Sequence, residues 1–523
     1  MKHDCVLAVD IGSSNIKAMV FSSRGDMVGS ASEEVGEMYT GPARAEHSPE
    51  QLWEKFRLAV GAAVRDSGVA PGEIAAICLD SNRSGFILLD KDRLPLTNNM
   101  SWRDGRSVRQ VKRFKEANRD IDTYRISGED GLPQHTLYKI LWLKEEHPDI
   151  WRQGRYICLS PKDYVLLRML NRRITSTSIA QSSGLFDINS LRYSEAILDR
   201  AGIDADMLPE LSDTDSRIGE LDRGMAAKLG LAEGTPVICG LCDATASQVG
   251  TGSTRPGDFA VSIGTCGAVR TFIAAPRFEA DRSTQVRVVS PFGYVASCTI
   301  SDAGGVLKWF RDRFCGRERD LAREEGVDAY AVIDREAAKI PPGSDGLLLL
   351  PCFTGASYAF KDPNVFGAFV GIRNAHALPH FGRAIMEGVA MSLRVVLDKF
   401  RANGFAVSRI TLGGGGARSA LWTRILADVL DLPLAIPACG ESSCLGAAVI
   451  AALGLGWFGG FDEAVRAMCK IRATIEPARA NAEVYRRHFE LFSRLYRVFE
   501  EAGYFAAHGE ITAVDARIPG KET

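Results

Sequence analysis

Apolar residues near the start of the chain come in short runs broken by polar turns. Residues 5–9 form the first run, and Asp10-Ile11-Gly12-Ser13-Ser14 turns the chain. Residues 16–21 form the second, Ser22-Ser23-Arg24-Gly25-Asp26 turns it again, and residues 27–30 follow. The pattern predicts a three-stranded meander. A helical period then takes over. Ser48-Pro49-Glu50-Gln51 is a start signal, with Ser48 as N-cap and Pro49 at the first helical position, and the helix is expected to reach about Asp66. Residues 74–79 are apolar on both faces, the pattern of a strand buried in a parallel sheet. Strands and helices alternate onward, which predicts α/β architecture.

An internal echo organises the chain. Leu7-Ala8-Val9-Asp10-Ile11-Gly12-Ser13-Ser14 recurs 252 residues later as Phe259-Ala260-Val261-Ser262-Ile263-Gly264-Thr265-Cys266. A second apolar strand follows each copy, at residues 18–21 and 271–273. An offset of half the chain points to a duplicated domain, with the boundary in the Gly, Thr, Ser and Pro-rich stretch 250–257. The expected division is 1–253, 254–480 and a helical extension 481–523.

Each echo is a tight strand–Gly–hydroxyl–strand turn, whose successive backbone N–H groups suit an anion such as phosphate. In the first, Asp10 can hold Mg²⁺, through water, and Lys17 adds a positive charge. A third glycine-rich segment, Gly413-Gly414-Gly415-Gly416-Ala417-Arg418-Ser419, lies between a strand at 409–412 and a helix at 421–430. Four glycines suggest a place where a flat ligand approaches the backbone, with a flexible turn as the competing reading. No P-loop or dinucleotide fingerprint occurs. Asp243 follows the strand at 236–239, in Gly240-Leu241-Cys242-Asp243-Ala244-Thr245-Ala246. It is a helix cap or, beside two phosphate turns, a candidate general base.

Composition narrows the field. The chain has 523 residues, 63 Lys and Arg against 65 Asp and Glu, and a net charge of −2. Apolar residues make 46% and charged residues 24%, the globular average, which excludes disordered and fibrous classes. Charges alternate in sign, so no nucleic-acid partner is expected. Twelve irregularly spaced cysteines, and no secretory leader at Met1-Lys2-His3-Asp4, predict free thiols in a reducing cytoplasm. Cys239 and Cys242 form a C-x-x-C without a second pair, and read as small core residues flanking a turn. Residues 444–461 carry no charge, but their apolar part is too short for a membrane span, so a buried helix ending in a glycine turn is expected. The amphipathic stretch 483–501 packs back on the core or makes a homodimer face.

At these residues the chain resembles the FGGY carbohydrate kinases of the actin–hexokinase superfamily, xylulose kinases among them. The most specific match is Gly367-Ala368-Phe369-Val370-Gly371-Ile372, seven residues, then His380-Phe381-Gly382-Arg383-Ala384-Ile385-Met386-Glu387. Lys139-Ile140-Leu141-Trp142-Leu143-Lys144-Glu145-Glu146 is similar to the core of the N-terminal signature, although Gln134 departs from its usual start. Trp102-Arg103-Asp104-Gly105-Arg106, Pro161-Lys162-Asp163-Tyr164 and residues 440–448 are also family-like.

The resemblance implies two ribonuclease-H-like (actin-like ATPase) domains flanking a deep cleft, a sugar or polyol as small-molecule substrate, and ATP with Mg²⁺. It implies Gly12, Ser13, Ser14 and Lys17 in the first phosphate motif, and Gly264 and Thr265 in the second. Gly304 and Gly414, Gly415, Gly416 and Ala417 match nucleotide contacts, and Asp243 the catalytic base. Arg83, Ser84, Trp102, Asp104 and Asp243 are the expected substrate-binding set. In Asn82-Arg83-Ser84-Gly85 the chain departs from the Gln-Met-His-Gly of xylulose kinases, and from glycerol kinases in having Ser84 for their acid. A ketose or pentulose is the expected acceptor, with an autoinducer-type, glycerol or sugar-acid kinase as alternatives. A non-catalytic ATP-binding sensor is the alternative of another class.

Overall fold

In the computed structural model, which describes residues 4–41, 43–355 and 364–508, the three apolar runs are strands β1 (Cys5–Ile11), β2 (Asn15–Ser22) and β3 (Met27–Glu34). Each pairs antiparallel with the next. The strand β4 (Ile74–Ser81) lies parallel to β1 on its other side. Apolar residues on both its faces let it sit at the centre of the sheet. Beyond it come β5 (Arg217–Glu220) and β6 (Pro236–Cys242), the latter parallel to β4 and the former antiparallel to β6 at the edge. The order is β5-β6-β4-β1-β2-β3.

The helix Pro49–Ser67 starts where its signal places it. Ser48 Oγ accepts the Gln51 backbone N–H at 3.3 Å, and Pro49 fills the first turn. Its buried stripe, Leu52, Phe56, Val60 and Val64, joins Leu7, Val9, Val20 and Ile77 of the sheet in one core.

The chain folds into two units. The first holds Met1–Thr254, Phe272–Ala296 and Glu441–Lys470, and the second Arg255–Thr271, Ser297–Gly440 and Ile471–Thr523. The second echo opens the second sheet. Its β7 (Asp258–Ile263) pairs antiparallel with β8 (Gly267–Ile273), beyond which lies β9 (Gly293–Ile300). On the other side β10 (Arg409–Gly413) and β11 (Leu434–Pro437) run parallel to β7, and β12 (Ile471–Ile475) closes the edge antiparallel. The order β12-β11-β10-β7-β8-β9 repeats β5-β6-β4-β1-β2-β3 strand for strand. Two details differ: β5 precedes its partner in the chain, whereas β12 follows its own, and the second sheet carries a seventh strand, Gln285–Val289, beyond β9. The eight-residue echo is thus the legible trace of a repeated six-strand sheet.

The charge-free stretch holds the buried helix Ser442–Gly454, and it packs within the first unit on the helix Asp243–Gly250. Among the described residues no helix is long and apolar enough to cross a membrane. The amphipathic C-terminal stretch lies in the helix Arg479–Glu501. Its Tyr485, Phe492 and Tyr496 are buried, while Leu491 and Val498 are exposed. Residues 1–3 of the expected leaderless start, and 509–523 of the expected extension, lie outside the described residues.

Cys239 and Cys242 need one correction. They flank no turn: both lie inside β6, which bulges between Ile238 and Leu241 where Gly240 takes a φ of 74°. Both thiols are buried, and burial pushes that of Cys242 up to about 12.

Candidate active site

The site in the first unit follows from strand register. Asp10 of β1 and Asp80 of β4 are direct Cα partners, and Leu241 of β6 is the partner of Asp80 on the far side. Parallel strands end at the same edge of a sheet, so the three ends deliver Asp10, Asp80 and Asp243 together. Asp243 opens the helix Asp243–Gly250, and its Oδ1 accepts the Ala244 N–H at 2.6 Å. Among the described residues nothing donates to its Oδ2. Ser443 ties the group together: its hydroxyl donates to Asp80 Oδ1 at 2.9 Å and lies 3.5 Å from the Asp243 backbone oxygen.

Crowded carboxylates resist ionisation. Burial, and then the charge of Asp243, push Asp10 up to about 7. Burial and the charges of Asp10 and Asp243 hold Asp80 well above the usual carboxylate range. Asp10 Oδ1 and Asp80 Oδ2 are out of solvent and receive no hydrogen bond. Orphan carboxylate oxygens of this kind suit a hard divalent cation. No three His, Cys, Asp or Glu among the described residues are arranged to cage an ion by themselves. That combination fits Mg²⁺, which keeps several waters and takes its remaining ligands from one or two carboxylates and substrate phosphates.

The first hairpin sits directly above. Gly12 N–H donates to Asn15 O at 3.0 Å, closing the turn, and His47 Nε2 holds the Ser13 carbonyl at 2.9 Å. Ser14 is exposed at the tip. Lys17 is the cross-strand partner of Asp10, and its Nζ is 2.7 Å from Glu441 Oε2.

In the second unit the expected nucleotide contacts gather round the end of β7. Gly264 and Thr265 are exposed at the hairpin tip. Gly304 N–H donates to Gly264 O at 2.8 Å, and Gly305 N–H to Thr265 O at 3.0 Å. The expected loop 413–419 is more ordered than a loose turn: Gly413 ends β10 and Gly415–Arg418 form a 3₁₀ turn. Gly414 has φ 81°, and a Cβ there would stand 2.6 Å from Ile263 O, so packing on β7 already requires glycine. Gly415 is exposed beside it, and the Ala417 N–H closes the turn onto Gly414 O at 3.1 Å.

The expected substrate residues occupy two loops of the first unit. Ser84 is buried with a φ of 57°, a left-handed conformation that costs a residue with a Cβ, and its hydroxyl donates to Ser182 O at 2.8 Å. Arg83 binds both oxygens of buried Glu129 through Nη1 at 2.6 Å. Trp102 is exposed, with the Arg103 guanidinium 5.4 Å from its ring centre. Asp104 is fully buried; it takes the Ala45 N–H at 2.9 Å and the Arg106 guanidinium at 2.6–2.8 Å, so in this structure it shapes its own loop.

Sequence reasoning missed four participants. Asp80 was visible as an acid ending an apolar strand, but its partnership with Asp10 needs the register. Ser443 comes from a distant helix. Lys139 is buried, and its Nζ donates to the carbonyls of Ser84, Met100 and Ser101 at 2.6, 3.1 and 2.7 Å, pinning both substrate loops. Arg287 meets Glu129 from the other side at 3.2 Å.

Residues 5–250 match the N-terminal domain of the FGGY family of carbohydrate kinases, and residues 259–455 its C-terminal domain. A gluconokinase of Bacillus subtilis is 31% identical over 500 residues, covering 95% of this chain and 96% of the relative. A xylulose kinase of the same organism is 30% identical over 499 residues, covering 94% and 96%. Among solved structures, a xylulose kinase from Rhodospirillum rubrum superposes with a TM-score of 0.85 at 28% identity, over 96% of this chain and 100% of that one.

Proposed function

Because the chain belongs to the FGGY family of carbohydrate kinases, we propose that it moves the γ-phosphoryl group of ATP onto a hydroxyl of an open-chain, polyhydroxylated sugar or sugar derivative, with Asp243 as the base. The observation that carries this reading is the meeting of Asp10, Asp80 and Asp243 at three adjacent strand ends. Asp243 Oδ1 is oriented by the Ala244 N–H, and its other oxygen is left to receive a proton. Accepting the hydroxyl proton as that oxygen attacks phosphorus is worth about 10²–10⁴ in rate.

The remaining roles divide by position. Asp10 and Asp80 would hold Mg²⁺, which supplies charge neutralisation to phosphate oxygens. The N–H groups and hydroxyls of Ser13 and Ser14, with Lys17, face phosphate, while the Gly12 N–H closes the turn that presents them. Gly264, Thr265, Gly304, Gly414, Gly415, Gly416 and Ala417 take the nucleotide. Kinases of this family use ATP, typically with Mg²⁺. Arg83, Ser84 and Trp102 line the acceptor side, on loops that Lys139 pins. The names of relatives do not choose the acceptor, since a gluconokinase and a xylulose kinase stand within one per cent of each other in identity.

The test is Asp243→Asn in a coupled ADP-release assay over ketoses, polyols and sugar acids, with ATP binding measured by calorimetry. Turnover should fall at least about 100-fold with ATP binding retained. Near-normal turnover would remove Asp243 from the role.

A further inference from the structure

Cys242, the residue before the base, is held by a closed circuit of hydrogen bonds. β5 pairs with β6 only as far as Ile238, and beyond it the carbonyls of Ser216 and Thr214 take the N–H groups of Cys239 and Gly240 at 3.0 and 2.8 Å. The Cys242 N–H goes instead to a side chain, Ser178 Oγ, at 3.2 Å. Cys242 is also the N-cap of the next helix, where a cysteine brings no oxygen, and its side chain makes no capping bond. Thr245, inside the first turn, reaches back with its hydroxyl to the Cys242 carbonyl at 2.8 Å. The Ser178 and Thr245 hydroxyls are 2.9 Å apart, and both residues are buried.

Proton counting fixes the direction of every bond. A carbonyl only accepts, an N–H only donates, and a hydroxyl has one proton. Thr245 gives its proton to the Cys242 carbonyl, so it must accept from Ser178, which accepts from the Cys242 N–H. The circuit runs from the N–H of Cys242 through two hydroxyls to its own carbonyl. Both peptide groups flanking the Cys242 Cα are pinned, and with them the direction in which Asp243 leaves the strand.

The helix that carries Ser178 also serves the acceptor side. It spans Thr177–Gln181, and Ser182 at its end accepts the Ser84 hydroxyl at 2.8 Å. At its start Ser176 Oγ takes the Ile179 N–H at 3.3 Å and meets Lys162 Nζ at 3.1 Å. The same Nζ donates to the Cys239 carbonyl of β6 at 2.9 Å. One short helix thus reaches from the Ser84 loop to the strand that delivers the base.

We infer that Ser178 is a positioning residue for Asp243: through Cys242 and Thr245 it sets where the base stands relative to the Ser84 loop. Misplacing a reacting group by about 1 Å can cost about 100-fold in rate. The inference rests on the transfer reading above, and its test separates the two.

The test compares Ser178→Ala with Ser183→Ala, using the acceptor of highest turnover in the panel above. Ser183 is a matched control. Its buried hydroxyl donates to Ala180 O at 2.6 Å and accepts the Leu185 N–H at 3.1 Å, away from the circuit. Ser178→Ala should lower kcat about tenfold or more with both KM values held within about threefold, and Ser183→Ala should keep kcat within about twofold at whatever cost in melting temperature. In the Asp243→Asn background, Ser178→Ala should cost less than about a further twofold, because no base remains to be placed. Unchanged kcat, a loss carried by KM, or a kcat loss equal in both backgrounds or for both serines overturns the positioning role while the transfer reading stands. Should Ser178→Ala fail to fold by thermal melt, Thr245→Val, which breaks the same circuit, carries the same readouts. Should Asp243→Asn have no detectable turnover, the contrast between the serines decides. Near-normal turnover by Asp243→Asn overturns both readings.

Discussion

Asp10 and Asp80 face each other as direct partners across the parallel strands β1 and β4, and each keeps one buried oxygen without a donor. The pair carries a pH signature. Asp10 stands near 3.8 unfolded and near 7 folded, so between those values the folded state binds a proton that the unfolded state does not. Stability is therefore full below about pH 4 and falls as pH rises through about 7. Asp10→Asn removes that loss. In thermal melts without divalent cations, the variant should exceed wild type at pH 8 by about 2–4 kcal/mol, with the gap closing toward pH 5. An equal difference at both pH values would contradict the assignment. Mg²⁺ should raise the wild-type melting temperature, in the presence of ADP, more than that of the variant.

Lys139 fastens the loops of Ser84 and Trp102 through three carbonyls. Lys139→Met keeps the apolar stem and removes all three donors. The acceptor KM should rise by about tenfold or more while ATP affinity holds, since the three carbonyls belong to the acceptor side. Steady-state kinetics with each substrate varied in turn would show it; a parallel rise in the ATP KM would argue for a general structural role.

The helix beginning at Asp243 is seated by glycine contact with its neighbour. A Cβ on Gly446 would stand 1.9 Å from the Ala246 backbone oxygen. Gly446→Ala must therefore push the two helices apart, at about 1–3 kcal/mol, and shift Asp243 with them. Denaturant titration should record the loss, and kcat should fall further than stability alone accounts for. Unchanged kcat with reduced stability would separate this packing from the chemistry.

Glu387, from the family's C-terminal signature, is buried in the second unit. It accepts from Gly343 N–H at 3.0 Å, Ser344 Oγ at 2.8 Å, Arg383 Nε at 2.8 Å and Tyr485 Oη at 2.9 Å. The signature thus reads here as a clamp that also fastens the C-terminal helix. Glu387→Ala strands a buried guanidinium and should cost about 3–5 kcal/mol in urea unfolding. Tyr485→Phe, which removes the donation to Glu387 and the bond accepted from Arg383 Nη2 at 3.0 Å, should cost about 1–2 kcal/mol. Similar costs for the two would show that Arg383 has other support.

Much of the fold was legible because its signals are local. The N-cap at Ser48 and Pro49 acts within one turn, the meander of β1, β2 and β3 is written in adjacent runs, and the echo at 259–266 repeats the first hairpin. Asp243 was legible for a similar reason, since a carboxylate just past a strand end is a short-range pattern. Asp104 shows the limit. Its residue type and place suit a polyol, yet its neighbours in space, Ala45 and Arg106, engage both its oxygens.

What the sequence by itself determined was the set of elements, the duplication and the family, all of which rest on periodicity, caps and motifs within reach of a few residues. Only the tertiary structure decided which side chains share a site. Asp80 becomes the partner of Asp10 through the register of two strands far apart in the chain. Ser443 reaches Asp80 through a helix packed from near the C-terminus, and Arg287 finds Glu129 through a strand from beyond the first echo's repeat. Charges act through space at a few ångströms, and that distance is set by register and packing, which no local pattern encodes.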